Sequence, residues 1–364
     1  MEIWVPYGDV ESLLTLQAEN LGELFDPAPD GHSEELGQIL AERVRGLEKL
    51  IVCDTKPSTI KLLRSAAAKL PQDTQIKVYA RSPKGVEDGV PELKGRVMKL
   101  SPPPSPIGSE VTYSSELPGG TAFVLATGEP DPLFGYVDAK VSLGLVAMGG
   151  ARKAAYLSRG KDEPVFLEET PARSAMVSLA DNLSGATFGT VVTRGGEPFS
   201  LIEGSVKDAR AHFNALQVSP AKGIVVGAGG RGYDDTFSQL LRASLGALKG
   251  VRKGGDVLLV GECRDGLGSE ALQMQTTGRI GEGALRRGFY ADGMEEISYL
   301  SLLKENYTVT LLSSLPELYA SGAFRFGTAK NSSEALQKVF SSAGRMAKIH
   351  VITRAPEALL GQMG

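Results

Sequence analysis

Histidine and cysteine are almost missing from this chain, with three of the first and two of the second in 364 residues. His32, His212 and His350 each stand alone, and no two of them have the spacing of a metal-ligand pair. Histidine is the usual general base and the commonest metal ligand, so its scarcity constrains any mechanism. Cys53 and Cys263 lie far apart, which excludes a disulfide framework and a metal ribbon. No secretory signal core opens the sequence, and no apolar run approaches the roughly eighteen residues of a membrane span. A reducing cytoplasm is the expected compartment, with no membrane partner. The net charge is only −4, with both signs interspersed, so no electrostatic footprint for nucleic acid is present.

What the chain does have is glycine, 44 residues of it, which suits the tight turns of an α/β protein. Its length exceeds one typical core and predicts two domains, placed at 1–218 and 219–364 on either side of the turn VSPAKG. The expected class is α/β: two α/β domains, mostly parallel sheets with flanking helices, and an interdomain cleft. Residues 1–8 read as a strand, 26–35 as a loop and 34–46 as a helix. Strand 49–53 follows, then a DTKPS turn in which Ser58 is placed to cap helix 59–70, then strand 75–80. The proline-rich stretch 82–118 reads as loops with one edge strand. Strand 121–128, helix 172–183, a strand pair at 187–194 and 198–203, and helix 205–216 complete the first domain.

The most informative segment is 221–268, one strand, glycine turn, helix, strand and second glycine turn. KGIVVGA is apolar and β-branched in the manner of a strand buried on both faces. Asp234 or Asp235 is placed to cap a helix whose stripe is Phe237, Leu240, Leu241, Leu245, Leu248 and Val251, stopped by Gly254 and Gly255. DVLLVGEC then forms the next strand. Farther on, the pattern predicts helices at 282–288, 294–304 and 334–344 and strands at 307–312 and 347–353.

Both turns of that βαβ unit fall on the carboxyl edge of the sheet, the usual ligand crevice of open α/β folds. Gly229, Gly230 and Gly232 resemble an anion cradle feeding a helix N-terminus. GGRG is not the dinucleotide fingerprint, however, and tight packing turns explain it about as well. Gln239 and Arg242, three apart, share one helix face that is either ligand-directed or simply solvated. Lys56 in DTKP and Lys140 in VDAK are further cations in turns after strands, with Asp54 and Asp131 nearby. The cysteines, at matching strand ends, read first as buried apolar residues, with a soft-metal site of facing thiolates as the lesser alternative.

Taken in order, these segments resemble the nickel-dependent lactate racemase family. GGRGYDDTFSQLLRASLGALKGVRKGGDVLLVGECRDGLG (229–268) is similar to that family's GGYPxD…YQ…K turn and helix with the following GG…EC strand and loop. IVCDTKPS (51–58) looks like its D-x-T-R-P turn, and TGEPDPLFGYVDAK (127–140) like its EPH…GYSGGRK segment. The resemblance implies a 2-hydroxy acid substrate and a nickel pincer nucleotide made from nicotinic acid. It also implies a substrate carboxylate held by basic residues, here Lys56 and Arg242, with Gln239 matching the family's glutamine as a further substrate contact. It places Asp54, Lys140, Gly229 and Gly230 toward the cofactor, and Asp131 at the position of a catalytic histidine. Val141 stands where the family carries its cofactor-anchoring lysine, Lys140 is one place earlier, and the family's site histidines have no counterparts. The expectation is a homologue with a small-carboxylate or phosphate site and altered chemistry: an isomerase of a hydroxy acid using Asp131, or a non-catalytic anion-binding or partner-assisting protein. No metal ligand is assigned, and covalent attachment of the pincer cofactor is not expected.

Overall fold

The central strands of this chain are apolar along most of their length, and most of their side chains are buried. The computed structural model describes residues 1–71, 76–100, 112–113, 120–158, 171–183, 185–204, 214–280 and 289–362. It is a mixed α/β protein built on two parallel-dominated sheets. The contacts divide into two compact units, 28–213 and a composite of 1–27 with 214–364.

In the 28–213 unit, β4 (Lys49–Val52), β5 (Lys77–Ala80), β6 (Val97–Lys99), β8 (Ala122–Thr127), β12 (Ala186–Arg194) and β13 (Glu197–Glu203) form one sheet. Its order is β13-β12-β8-β4-β5-β6, parallel except for the β12–β13 hairpin. Alternate side chains enter opposite layers. Leu50, Val52, Phe123 and Leu125 pack with α1 (Ser33–Val44) and α2 (Pro57–Ala67), where Leu36, Leu40, Leu62 and Leu63 are buried. Ile51, Cys53, Val124 and Ala126 face the other way, onto Leu143 and Val146 of α4 (Ala139–Ala147) and Ala180 of α6 (Pro171–Asp181). A short hairpin of β9 (Glu129–Asp131) and β10 (Gly135–Val137) leaves the carboxyl end of β8. β7 (Thr112–Tyr113) pairs with β11 (Met148–Gly149), and α5 (Ala151–Ser158) follows.

The composite unit carries a fully parallel sheet, β18-β17-β16-β15-β19-β3. Its strands are β3 (Leu21–Phe25), β15 (Ala221–Gly227), β16 (Val251–Val260), β17 (Thr308–Leu312), β18 (Gly327–Ala329) and β19 (Ile349–Ile352). α10 (Ser332–Ala343) and the hairpin of β1 (Glu2–Tyr7) and β2 (Val10–Thr15) cover one face around Val225, Leu258 and Val260. α7 (Phe237–Ser244), α8 (Glu270–Thr276) and α9 (Met294–Asn306) are its remaining α-helices among the described residues, and β14 (Asn214–Val218) pairs with β20 (Ala358–Gln362).

Several expectations are corrected. Residues 1–27 do not group with the rest of 1–218, because β3 hydrogen-bonds along β19 and so belongs to the composite sheet. The helix expected to run to Val251 ends at Ser244, passes through a 3-10 turn, and gives way to β16 at Val251. Gly254 and Gly255 therefore lie within a strand, where Gly254 takes φ +77°. Ser58 does not cap α2: Lys56 is the N-cap and Pro57 the first helical residue, a position where a missing N–H costs nothing. Residues 214–218, partly assigned to a helix 205–216, are strand; the remainder of that segment and helix 282–288 lie outside the described residues. The stretch read as loops after Ser82 contains α3 (Pro83–Gly89), whose cap Ser82 accepts from the Gly85 N–H, and β6 is the expected edge strand. Among the described residues, no helix is long and apolar enough to cross a membrane.

Candidate functional site

The carboxyl ends of β4 and β8 lie side by side, and Asp54 ties them together. Its Oδ2 accepts from the Thr127 N–H at 2.6 Å, while Oδ1 accepts from the Lys56 N–H at 2.9 Å and the Thr59 hydroxyl at 2.8 Å. That donation fixes a chain of protons. With its own proton committed to Asp54, Thr59 Oγ1 accepts from Thr127 at 2.6 Å, and Thr127 in turn accepts from Ser58 at 2.9 Å. Burial raises the Asp54 carboxyl above its ordinary value, against the lowering effect of these donors. The turn so held places the Lys56 ammonium 3.0 Å from the Glu129 carboxylate, with the lysine side chain 13% exposed. Below it, α2 starts with its Ser58 and Thr59 N–H groups unpartnered among the described residues, a positive dipole end without a side-chain cap.

Two residues along β9 from Glu129 sits Asp131, which is buried. Its Oδ1 accepts from the Leu133 and Phe134 N–H groups at 2.9 and 3.3 Å, closing the hairpin, and its Oδ2 pairs with Arg152 of α5. Arg173 secures the same hairpin by donating to the Phe134 and Tyr136 carbonyls. Asp138 then caps α4 through the Val141 N–H at 2.9 Å. Within that first turn, Val141 is wholly buried, whereas Lys140 extends to Asp181 at 2.6 Å.

In the composite unit the loop after β15 is built on glycines in left-handed conformations, with φ of +100°, +82° and +85° at Gly229, Gly230 and Gly232. The Gly229 carbonyl accepts from Arg354, the Gly230 carbonyl accepts from the Tyr233 and Asp234 N–H groups, and the Gly229 and Gly230 N–H groups have no partner among the described residues. Neither aspartate caps α7. Thr236 does, in a capping box with Gln239, while the Phe237 and Ser238 N–H groups donate to the Gly266 and Leu267 carbonyls. The first turn of α7 is thereby closed by the loop after β16, not left open to an anion. Asp234, fully buried, instead accepts the Gly8 and Glu262 N–H groups on Oδ2 at 2.8 and 3.0 Å. Asp234 Oδ1 and Glu262 Oε2 are buried and have no hydrogen-bond partner among the described residues. Burial raises the Asp234 carboxyl, and burial together with these acids pushes the neighbouring Tyr7 hydroxyl up to about 12.

Arg242 is directed across α7 to α9. Its Nε and Nη2 donate to Glu296 Oε1 at 3.0 and 2.8 Å, and Ser238 and Ser269 donate to the same carboxylate at 2.5 and 2.6 Å. Glu295, also buried, lies 3.8 Å from the guanidinium.

Of the eight residues read from the sequence, the fold thus gathers Asp54 and Lys56 directly and brings Asp131 onto the strand that carries Glu129. Lys140 points to α6. Gly229, Gly230, Gln239 and Arg242 share one loop-helix segment, but with Gln239 spent on the cap and Arg242 on Glu296. Thr127, Glu129, Ser58 and Thr59 were missed, although hydroxyls and an acid at the ends of two apolar runs were visible signals. Arg152, Glu295 and Glu296 gave none, because their oppositely charged partners lie 21 to 54 positions away in sequence. Burial raises both cysteine thiols well above their ordinary range, so they stand as thiols, with Cys53 inside the sheet core.

The fold and these carboxyl-edge turns define a two-unit α/β protein with a lactate racemase-like fold. The lactate racemase apoprotein from Thermoanaerobacterium thermosaccharolyticum superposes with a TM-score of 0.73 at 15% identity, over 99% of this chain and 100% of that one. A structural-genomics protein from Thermotoga maritima superposes with a TM-score of 0.53 at 12% identity, over 96% of this chain and all of that one. No protein-family model matches the sequence, and no curated protein matches it either.

At the position that the sequence resemblance sets against the family's cofactor-anchoring lysine stands Val141, hydrocarbon and fully buried, while its neighbour Lys140 carries an amine paired with Asp181. Among the described residues no three His, Cys, Asp or Glu side chains converge in a way that could hold a metal ion.

Proposed function

We propose that this protein is a lactate racemase-like binder of a small carboxylate, a 2-hydroxy acid or a close relative, and that it works without two-base racemisation. The observation that carries this reading is the Asp54-held turn. It fixes a largely buried lysine beside the uncapped N-terminus of α2 at the carboxyl edge of the sheet, with Lys56 paired to a Glu129 side chain that is 35% exposed. An incoming carboxylate exchanges with Glu129 for the ammonium, a charge-assisted contact, near the positive end of the α2 dipole. Asp131 is the candidate base on this chain, yet both of its oxygens are occupied by Arg152 and the hairpin N–H groups. That favours binding over proton abstraction.

Calorimetry with both enantiomers of lactate, longer 2-hydroxy acids and phosphate esters tests the reading, alongside chiral chromatography of the recovered acid. The expected result is binding of at least one hydroxy acid, weakened about tenfold or more by Lys56→Ala, with no inversion of the centre; a charge-assisted hydrogen bond is worth roughly 1.5–3 kcal/mol. Unchanged binding in Lys56→Ala refutes the site. Inversion by the wild-type chain establishes an isomerase instead.

A further inference from the structure

The composite unit has a cavity at the amino edge of its sheet. It encloses about 680 Å³, within the usual range for small-molecule pockets, and lies against the amino ends of β17 and β18, the last turns of α9 and the side of α10. Three cations line it, Lys304, Arg325 and Lys338, against one lining carboxylate, Glu305. Lys338 is shared with Glu334 at 2.9 Å and with the Thr328 carbonyl. Arg325 is different. It is exposed and makes no hydrogen bond or ion pair among the described residues.

Its backbone is also strained, at φ +57°, one of two non-glycine residues with positive φ among those described. The cause is visible on either side. Phe324 and Phe326 are both buried, with Phe237 stacked on Phe324 at 4.9 Å and edge-on to Phe326 at 6.4 Å. Holding both rings in the core forces a left-handed residue between them. Glycine meets that demand without strain, so arginine at this position carries a conformational cost that glycine would not. Tyr307, Phe326 and Val309 add apolar and aromatic wall, and Ser301, Thr308 and Thr310 add hydroxyls. Glu305 and the carboxyl end of α9 oppose an anion, which is why the unpartnered guanidinium is decisive.

We propose that this cavity binds a small molecule carrying a phosphate or carboxylate on a planar or apolar body, with Arg325 gripping the oxyanion and Lys304 and Lys338 flanking it. The site is independent of the Lys56 turn, and the test keeps them apart. Calorimetry on the Lys56→Ala chain uses adenosine 5′-monophosphate, inorganic phosphate and citrate as probes. At least one should bind, and binding should weaken as salt rises. The phosphate compounds outranking citrate assigns the oxyanion as phosphate, and the reverse order assigns it as carboxylate. Arg325→Gly should weaken binding about tenfold or more while raising Tm, since it relieves the left-handed strain and rules out misfolding as the cause. Arg325→Lys, which keeps charge but loses the planar fork, should fall between the two. No binding of any probe at millimolar concentration, or equal affinity in Arg325→Gly, overturns the proposal.

Discussion

Removing the Arg242 guanidinium should destabilise the composite unit by about 3 kcal/mol, the lower end of what breaking a buried ion pair costs. Glu296 is 1% exposed and receives two of its four hydrogen bonds from Arg242. In Arg242→Ala the two serine hydroxyls remain, but the charge loses its counterion in a place water barely enters. Glu295, fully buried and 3.8 Å from the same guanidinium, loses a favourable neighbour too. The lower end applies because the arginine side chain is 25% exposed, so some water reaches the gap. Glu296→Gln should cost less, about 1–2 kcal/mol, since the remaining arginine is partly hydrated and keeps Glu295. The decisive measurement is the double variant Arg242→Ala/Glu296→Gln. With no stranded carboxylate at 296, it should be more stable than Arg242→Ala alone and well short of the sum of the singles. Urea unfolding followed by fluorescence reads this unit specifically, because Trp4 is the only tryptophan of the chain and lies within it. A loss below 1 kcal/mol in Arg242→Ala, or additive singles, would refute the structural role and return Arg242 to the pool of ligand-binding cations.

Two further outcomes follow from the buried carboxylates and the glycine turns. Asp234 has a raised folded-state pKa, so the folded chain binds its proton more tightly than the unfolded chain does, and stability declines as pH rises from the ordinary carboxylate value through the raised one. The stability difference between wild type and Asp234→Asn, measured by urea unfolding, should therefore shift in favour of the variant between pH 4 and pH 7; a constant difference contradicts the raised value. Gly8→Ala and Gly46→Ala both enter left-handed backbone, at φ +57° and +81°, but a Cβ at Gly8 would sit 1.8 Å from Glu262 Oε2 whereas Gly46 faces open space. Thermal unfolding should show a loss of about 1 kcal/mol at Gly46, the left-handed penalty alone, and a clearly larger one at Gly8; equal losses would mean that the Glu262 contact yields freely.

The α/β class was legible in the chain itself, because strands buried on both faces must be apolar along most of their length and helices must carry a stripe, and both patterns are local. KLIVC, TAFVLATG and KGIVVGA could hardly be anything else, and the turn after each was readable from its glycine, proline or aspartate. Tertiary structure decided the rest. Val251 continues the spacing of the α7 stripe, yet the residues from Val251 onward form a strand beside β15, because pairing along a parallel sheet outweighs a weak helical preference. Residues 1–27 join the far end of the chain through β3 and β19, a pairing across more than three hundred positions that no local signal encodes. The fate of the candidate cations was settled in the same way. Sequence shows where a lysine or arginine stands relative to its own strand or helix, but the acid that neutralises it, Glu129 for Lys56 or Glu296 for Arg242, is chosen by how separate elements pack, and Coulomb attraction acts through that distance alone.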